Sequence, residues 1–365
     1  MAREMMNHNQ YEPDYVSPPG DTLDELIADL GMTQSELAER IGRPKKTVNE
    51  IVKGKAAITP QTAIQLERVL GVPASFWNNR ERNYREYLAG MDERRSLREW
   101  VDWLDKIPLK AMTKLRWVDH RKDKVEQLRT TLSFFGVASP ERWEALWLHN
   151  AQASFRRSPA FESDPWAVSA WLRKGELEAM AIECEPFSGS RFKEALSSIR
   201  EMTTKPPQVF IPEITRLCAK NGVAVVFVPE LPRTRVSGAT RWLAPGKALI
   251  QLSLRHKTND HLWFSFFHEA GHILRHSKKE VFIESGDLDD SWEAEANRFA
   301  SDFLIPPSAY RRLIDMRPWN ENQLMRFSQD IGIAPGIVVG RLQHDGRLAH
   351  SHFNSLKQRF EWASR

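Results

Sequence analysis

Cysteine is nearly missing from this chain: Cys184 and Cys218 are the only two in 365 residues. Two distant thiols build neither a disulfide-stapled scaffold nor a Cys-x-x-Cys zinc knuckle. No apolar run reaches the length of a membrane span, and Met1 to Gln10 hold no signal-peptide core. Charge of one sign is lacking too. With 52 Lys and Arg against 48 Asp and Glu, the net charge is +4, too small to argue for nucleic acid by itself. The expectation is a cytoplasmic protein without a membrane partner, long enough for two or three domains with ample core. Its 13 tryptophans point to well-packed helices.

Against that background one stretch stands out, Phe266-Phe267-His268-Glu269-Ala270-Gly271-His272-Ile273-Leu274-Arg275-His276. Residues four apart share a helix face, so His268 and His272 can aim their imidazoles at one point. Zn²⁺ accepts such nitrogens, and Glu269 then stands beside the ion, where it would act as general base. Leu262, Trp263, Phe266, Phe267, Ile273 and Leu274 would embed this helix. Ligand-type side chains in so apolar a segment are expensive to bury without a purpose.

The N-terminal part reads as short helices with clear punctuation. After Ser17-Pro18-Pro19-Gly20, Asp21 or Thr22 can cap a helix running to Leu30, which Gly31 stops. Thr33 caps the next, Gln34 to Ile41, with Glu36 placed for a capping box. Gly42-Arg43-Pro44 breaks the chain, a third helix runs from Lys45 to Lys53, and a fourth follows Thr59-Pro60 with Ile64, Leu66, Val69 and Leu70 as its apolar residues. This is the helix-turn-helix layout, whose second helix enters the DNA major groove. Leu37, Ala38, Ile41, Val48 and Ile51 would form its inner face. Arg40, Arg43, Lys45, Lys46, Lys53 and Lys55 meet only Glu50 in that window, a concentration of charge that a merely solvated face does not need. Asn pairs with adenine, and Lys reaches guanine or phosphate.

Thr33-Gln34-Ser35-Glu36-Leu37-Ala38, Lys46-Thr47-Val48-Asn49-Glu50-Ile51 and Val72-Pro73-Ala74-Ser75-Phe76-Trp77 make the run from Asp14 to Leu88 resemble the HigA-type antitoxins, which are Cro-repressor-like regulators. The resemblance implies binding to a double-stranded operator, commonly as a homodimer on two half-sites. It places base reading on Lys45, Lys46 and Asn49 and phosphate positioning on Gln34, with Arg43 and Thr47 also at the DNA surface.

From Arg80 to Lys205 the chain reads as mostly helical. Trp100, Trp103, Leu104 and Ile107 recur at helical spacing, as do Trp143, Leu146 and Trp147, and such stripes are expected in core. His120 and His149 stand alone and are expected to be structural. Beyond Lys205-Pro206-Pro207, Ile211 to Asn221 reads as a helix and Val223 to Val228 as a strand. Ser237 to Thr240 and Ala248 to Leu252 read as two more strands, leading into the histidine helix over Asn259–Leu274. A small sheet feeding such a helix is the zincin arrangement.

A metzincin would need Gly at position 275 and His at 278, and the chain has Arg275 and Lys278, so that class is excluded. His276 lies a turn further on and is expected to cap the helix end. A glutamate on the helix that Ser291 opens can complete a His₂Glu site, leaving a fourth position for water. His268-Glu269-Ala270-Gly271-His272, Glu295-Ala296-Asn297-Arg298-Phe299-Ala300 and Phe303-Leu304-Ile305-Pro306 resemble the ImmA/IrrE metallopeptidases. The resemblance implies His268, His272 and Glu295 as zinc ligands, Glu293 as the alternative third ligand, and Glu269 as catalytic base. It further implies an endopeptidase that cuts a repressor, antitoxin or similar regulator in stress, toxin-antitoxin or mobile-element control. Tyr310, Arg241 and His256 are candidate oxyanion stabilisers, and the Ala248–Leu252 strand is a candidate to hold an extended substrate by its edge. His344, His350 and His352 are expected at the surface.

The expected fold is mainly α with a small α+β zincin-like domain. A leader (1–20) precedes an all-α helix-turn-helix DNA-binding domain (21–80), a helical connecting region (81–205), the metallopeptidase domain with its small β-sheet (206–312) and a C-terminal helical region (313–365). The function expected is a DNA-binding regulator fused to a zinc endopeptidase. The alternative is a non-catalytic antitoxin or repressor whose peptidase-like end senses or binds a partner.

Overall fold

The punctuation noted in the sequence sets the first helices. A computed structural model describes residues 16–148, 164–276, 282–284 and 291–363, and the chain separates into two units, 1–99 and 100–365. His149 and residues 1–15 of the expected leader lie outside the described residues. In the first unit α1 spans Pro19–Asp29, α2 Gln34–Ile41, α3 Lys45–Val52, α4 Pro60–Leu70 and α5 Ala74–Glu99. Thr33 Oγ1 accepts from the Glu36 amide at 3.2 Å while the Glu36 carboxylate accepts from the Thr33 amide at 3.1 Å. That capping box satisfies two donors the helix leaves open and stabilises by about 1 kcal/mol. The first helix begins two residues before Asp21, because a proline costs nothing at the first helical position.

Leu23, Ile27, Leu37, Ile41, Val48, Ile51, Leu66 and Trp77 close a single core. Of the apolar residues of α4, Ile64 is 47% exposed, since the helix turns Ala63 and Leu66 inward. The expected boundary at residue 80 falls within α5. Glu81 on that helix is buried and accepts the Ile58 amide at 3.1 Å, so the helix belongs to the first unit through its early turns.

The second unit opens with a short 3₁₀ turn, Val101–Lys106, then α6 (Leu109–Lys114), α7 (Lys124–Phe135), α8 (Pro140–Trp143) and α9 (Pro165–Met180). The expected tryptophan stripes do enter the core here: Trp103, Trp143 and Trp147 are buried, and Trp143 stacks on Trp166 with centroids 4.0 Å apart. Leu146 of the same stripe is 53% exposed. Next come α10 (Gly189–Glu201), α11 (Pro207–Ala219), β1 (Val223–Phe227), β2 (Gly238–Ala244), β3 (Lys247–Leu252), α12 (Asn259–Arg275), β4 (Phe282–Glu284) and α13 (Ser291–Leu304). Helices α14 (Pro307–Asp315), α15 (Glu321–Asp330) and α16 (Pro335–His344) finish the unit.

The sheet has four strands in the order β1-β3-β2-β4. β1 runs parallel to β3, with Val225 opposite Ile250, and β2 is antiparallel to both β3 and β4. On one face lies α12, where Thr240 Oγ1 of β2 donates to the Glu269 carbonyl at 3.2 Å. On the other face lies α9, where Gln251 Nε2 of β3 donates to the Trp171 carbonyl at 2.7 Å. Phe266, Phe267, Trp263, Ile250 and Leu252 fill the layer between sheet and helix.

Near the end of the described chain, the main chain docks against the start of α12. Asn259 N donates to the Gln358 carbonyl and Phe360 N to the Lys257 carbonyl, each at 2.9 Å. Lys357 Nζ stands 2.6 Å from Asp260 Oδ2, with side chains only 12% and 7% exposed, and donates to Gln343 Oε1 at 2.7 Å. No helix among the described residues is long and apolar enough to cross a membrane.

Candidate metal centre and nucleic-acid interface

Helix α12 is buried along nearly its whole length, and its polar side chains share that burial. His268, Glu269 and His272 are exposed by only 1%, 0% and 2%. One turn apart, the two histidines bring their Nε2 atoms to 3.0 Å from each other. Helix α13 packs against this face, and Gly271 is the reason it comes so near. A β-carbon there would stand 3.1 Å from a Phe299 ring carbon and 3.3 Å from the Ala296 α-carbon.

The close packing carries Glu293 to the imidazoles. Its two oxygens lie 3.1 Å from His268 Nε2 and 3.3 Å from His272 Nε2. Glu295, the third ligand expected from the family resemblance, points elsewhere. Its carboxylate is 45% exposed and lies 3.3 Å from Arg275 Nη1 and 3.5 Å from His276 Nε2. The reason is helical rotation. Successive residues turn by about 100°, so two residues two apart face nearly opposite ways. Glu293 shares the inward stripe of Ala296 and Ala300; Glu295 does not.

His268, His272 and Glu293 each offer one ligand atom, all within 4.8 Å of one another. A tetrahedral zinc with bonds of roughly 2.0–2.1 Å has donor–donor edges of roughly 3.3 Å, close to the separations found here. Two neutral nitrogens and one carboxylate oxygen also make the donor set such an ion takes in open sites. The residues fit the ion. Burial drives the His272 imidazole down to about 4, against a partial offset from its hydrogen bond to Glu293, so at neutral pH the ring keeps the lone pair a metal needs. Burial would raise the Glu293 carboxyl, but hydrogen bonds and charge from His268 and His272 outweigh it and hold the group far below its ordinary range.

The outer nitrogens of both rings are engaged. His268 Nδ1 lies 2.9 Å from Asn297 Oδ1, one turn beyond Glu293 on α13. His272 Nδ1 lies 2.9 Å from His276 Nδ1, and the His276 ring stacks on Trp292 with centroids 5.6 Å apart. His276 does sit at the C-cap of α12, as expected, yet its side chain turns back to its neighbour. The role of Asn297 was missed by sequence reasoning, although its spacing of four from Glu293 was there to be read.

Two other expectations change. β3 lies between β1 and β2, so Ala248–Leu252 has no edge to offer an extended peptide. Arg241 follows Thr240 on β2 and so faces the opposite side of the sheet, 2.9 Å from Glu176 on α9 and over the Trp147 ring. It is turned away from the histidines. Tyr310 donates to Asp345 and lies under the Arg341 guanidinium, and His256 stacks on His261 with centroids 4.1 Å apart. His120, His344, His350 and His352 are exposed.

In the first unit, α2 and α3 present the residues expected at DNA. Lys45 and Lys46 are exposed at the start of α3, with Lys46 Nζ 3.8 Å from Glu50, and Thr47 is half-buried. Asn49 Nδ2 donates to Gln34 Oε1 at 3.4 Å, and Gln34 Nε2 donates to Asp24 at 2.9 Å, which joins the two helices at that surface. Arg43 bridges to α4, its Nε and Nη2 each 3.0 Å from Gln65 and Gln61.

Known families match both places. Residues 23–77 match the Helix-turn-helix family, and residues 226–342 match the Peptidase_M78 family, described as an IrrE N-terminal-like domain. The chain carries a helix-turn-helix domain near its start and an IrrE/ImmA-like domain toward its end. The uncharacterized HTH-type transcriptional regulator YddM of Escherichia coli K12 is 34% identical over 61 residues, which cover 17% of this chain and 65% of that protein. Virulence-associated protein A of Dichelobacter nodosus is 38% identical over 56 residues, covering 15% of this chain and 55% of its own length. The chain thus spans less than two thirds of these curated relatives. Among solved structures, the Pseudomonas aeruginosa antitoxin HigA with the higBA promoter is 30% identical, covers 20% of this chain and 83% of its own, and has a TM-score of 0.20. A HigA-family addiction-module antidote protein from Coxiella burnetii is 27% identical, covers 25% of this chain and 92% of its own, also with a TM-score of 0.20.

Proposed function

We propose that this chain is both a DNA-binding regulator and a zinc-dependent endopeptidase, and that its substrate is a regulatory protein of the repressor or antitoxin kind. The observation that carries the reading is the convergence of His268, His272 and Glu293 with Glu269 one position along the same buried helix. In it, His268, His272 and Glu293 hold the ion and Glu269 does not. Bound there, zinc supplies Lewis acidity toward a carbonyl and lowers the pKa of water. Glu269 accepts the proton released by the attacking water and delivers it to the departing amine. Asn297 fixes His268 with Nε2 turned inward.

On the DNA side, Lys45, Lys46 and Asn49 read bases, Gln34 positions a phosphate, and Thr47 and Arg43 border the contact. The basic start of α3 supports this, and so does the match of residues 23–77 to the Helix-turn-helix family. Binding as a homodimer to two half-sites follows from the same reading.

Metal analysis of the purified chain, combined with a search for cleaved regulators in cells carrying wild type or Glu269→Gln, tests the proposal. One zinc per chain in both proteins, with cleavage in wild type alone, is the expected result. Zinc without any Glu269-dependent product would instead favour a non-catalytic platform that binds a partner.

A further inference from the structure

The contact between two histidines fixes where the protons around the site must be. His272 turns Nε2 toward His268 Nε2 at 3.0 Å and Glu293 at 3.3 Å, so for metal binding its lone pair is on that nitrogen and its proton on Nδ1. Nδ1 stands 2.9 Å from His276 Nδ1. Two N–H groups cannot face each other at that distance, so His276 Nδ1 accepts and the His276 proton sits on Nε2. That nitrogen lies 3.5 Å from the Glu295 carboxylate, with the His276 side chain only 3% exposed. Stacking on Trp292 leaves the ring little freedom to turn. Read outward from the site, His276 accepts from His272, and the Glu295 charge faces the outer nitrogen of His276.

We infer that His276 and Glu295 are positioning residues, which set the tautomer and ring angle of His272 without touching the ion. This rests on the proposal that His268, His272 and Glu293 are the ligands. It gives Glu295 a part in the site that differs from ligation. A ligating imidazole held by a hydrogen bond on its far nitrogen is oriented and made more basic, and loss of such a partner typically weakens metal binding by about 10–100-fold. His268 reaches the same end through the neutral amide of Asn297, so the two rings are held by chemically different partners.

The test uses the full chain stripped of metal, with zinc affinity measured by competition against a chromophoric chelator. Visible spectra of the cobalt-substituted protein provide a second readout. His276→Leu removes the acceptor and is expected to weaken zinc about 10–100-fold and to shift the cobalt bands. His276→Gln, whose side-chain oxygen can accept from His272 Nδ1, is expected to recover most of that loss. Glu295→Gln should weaken binding less than His276→Leu, whereas Glu293→Gln should abolish it. Wild-type affinity in His276→Leu and Glu295→Gln overturns the inference, as do equal losses in the leucine and glutamine variants of His276. Should His276→Leu fail to fold, His276→Phe, which keeps a ring but offers no acceptor, takes its place, and wild-type affinity and cobalt spectra there and in Glu295→Gln would still overturn the inference. A wild-type chain that takes up no zinc refutes the ligand reading itself, a result distinct from wild-type binding that the outer variants leave unmoved.

Discussion

Gly238 and Glu269 stand so close that a β-carbon on the glycine would lie 2.6 Å from Glu269 Oε1. The first residue of β2 therefore sets where that carboxylate can rest. Gly238→Ala should push it aside and lower peptide hydrolysis by about 10–100-fold, the scale expected for misplacing a reacting group by about 1 Å. Zinc content should stay at the wild-type level, because the atoms nearest that added β-carbon all belong to Glu269, which the proposed site does not use as a ligand. Unchanged hydrolysis of a cleaved substrate would show that the carboxylate position does not limit the reaction.

Acid should loosen the metal-free protein in a defined window. The folded state holds His272 down at about 4, below its ordinary 6.5, so between those values the unfolded chain binds the extra proton and the folded chain does not. Stability is therefore full above pH 6.5 and declines as the pH falls toward 4. Glu293, held low in the fold, adds a second decline below its ordinary 4.5. Urea unfolding of the apoprotein across pH 8 to 4 would reveal the slope, and His272→Gln should flatten its upper part.

On the DNA side, Asn49→Ala should weaken binding to the operator selectively, by about 1–3 kcal/mol, and leave any peptidase activity alone. Lys45→Ala should likewise weaken the operator more than unrelated DNA, and should also reduce the salt slope by about one through the lost charge. Titrations at several salt concentrations separate the two. Operator affinity of Asn49→Ala equal to that of wild type would remove Asn49 as a base-reading residue of α3.

Arg43 offers a different outcome from its neighbours. Its two hydrogen bonds to Gln61 and Gln65 tie the start of α3 to α4. Arg43→Ala should cost about 1 kcal/mol of stability in addition to any effect on DNA, since these bonds are partly exposed to water. A denaturation midpoint identical to that of wild type would place Arg43 at the DNA surface alone.

The buried pair Asp260 and Lys357 should behave as buried pairs do when one partner is removed. Lys357→Met leaves the Asp260 carboxylate without its cation and should destabilise by about 3–5 kcal/mol. Adding Asp260→Asn should restore much of the loss. Thermal unfolding of the single and double variants measures both, and additive losses would argue that the two residues act independently.

Much of this architecture was legible because local signals and tertiary packing agree. Thr33 and Glu36 announce α2, Gly71 ends α4, and the apolar neighbours of His268 and His272 bury their helix. What escaped was set by contacts across the chain. β4 is three residues long, too short to carry an alternating pattern, and exists by pairing with β2. The position of β3 between two strands depends on β1 joining it in parallel, an order that strand propensity does not encode. Glu293 is the instructive case. A match of motifs favoured Glu295, while the three-and-four spacing of Glu293, Ala296 and Ala300 already marked which carboxylate would face inward. Asn297, one turn from Glu293, carries the same message.

Lys357 gives the far end of the described chain a hold on the opening turn of α12, the helix that bears both buried imidazoles. Proteolysis or a bulky fusion that lifts this strap would expose an uncompensated acid at the root of that helix and slacken the scaffold two to three turns below the ligands. On the zinc reading proposed above, this segment would act on ion affinity from a distance while contributing no ligand of its own.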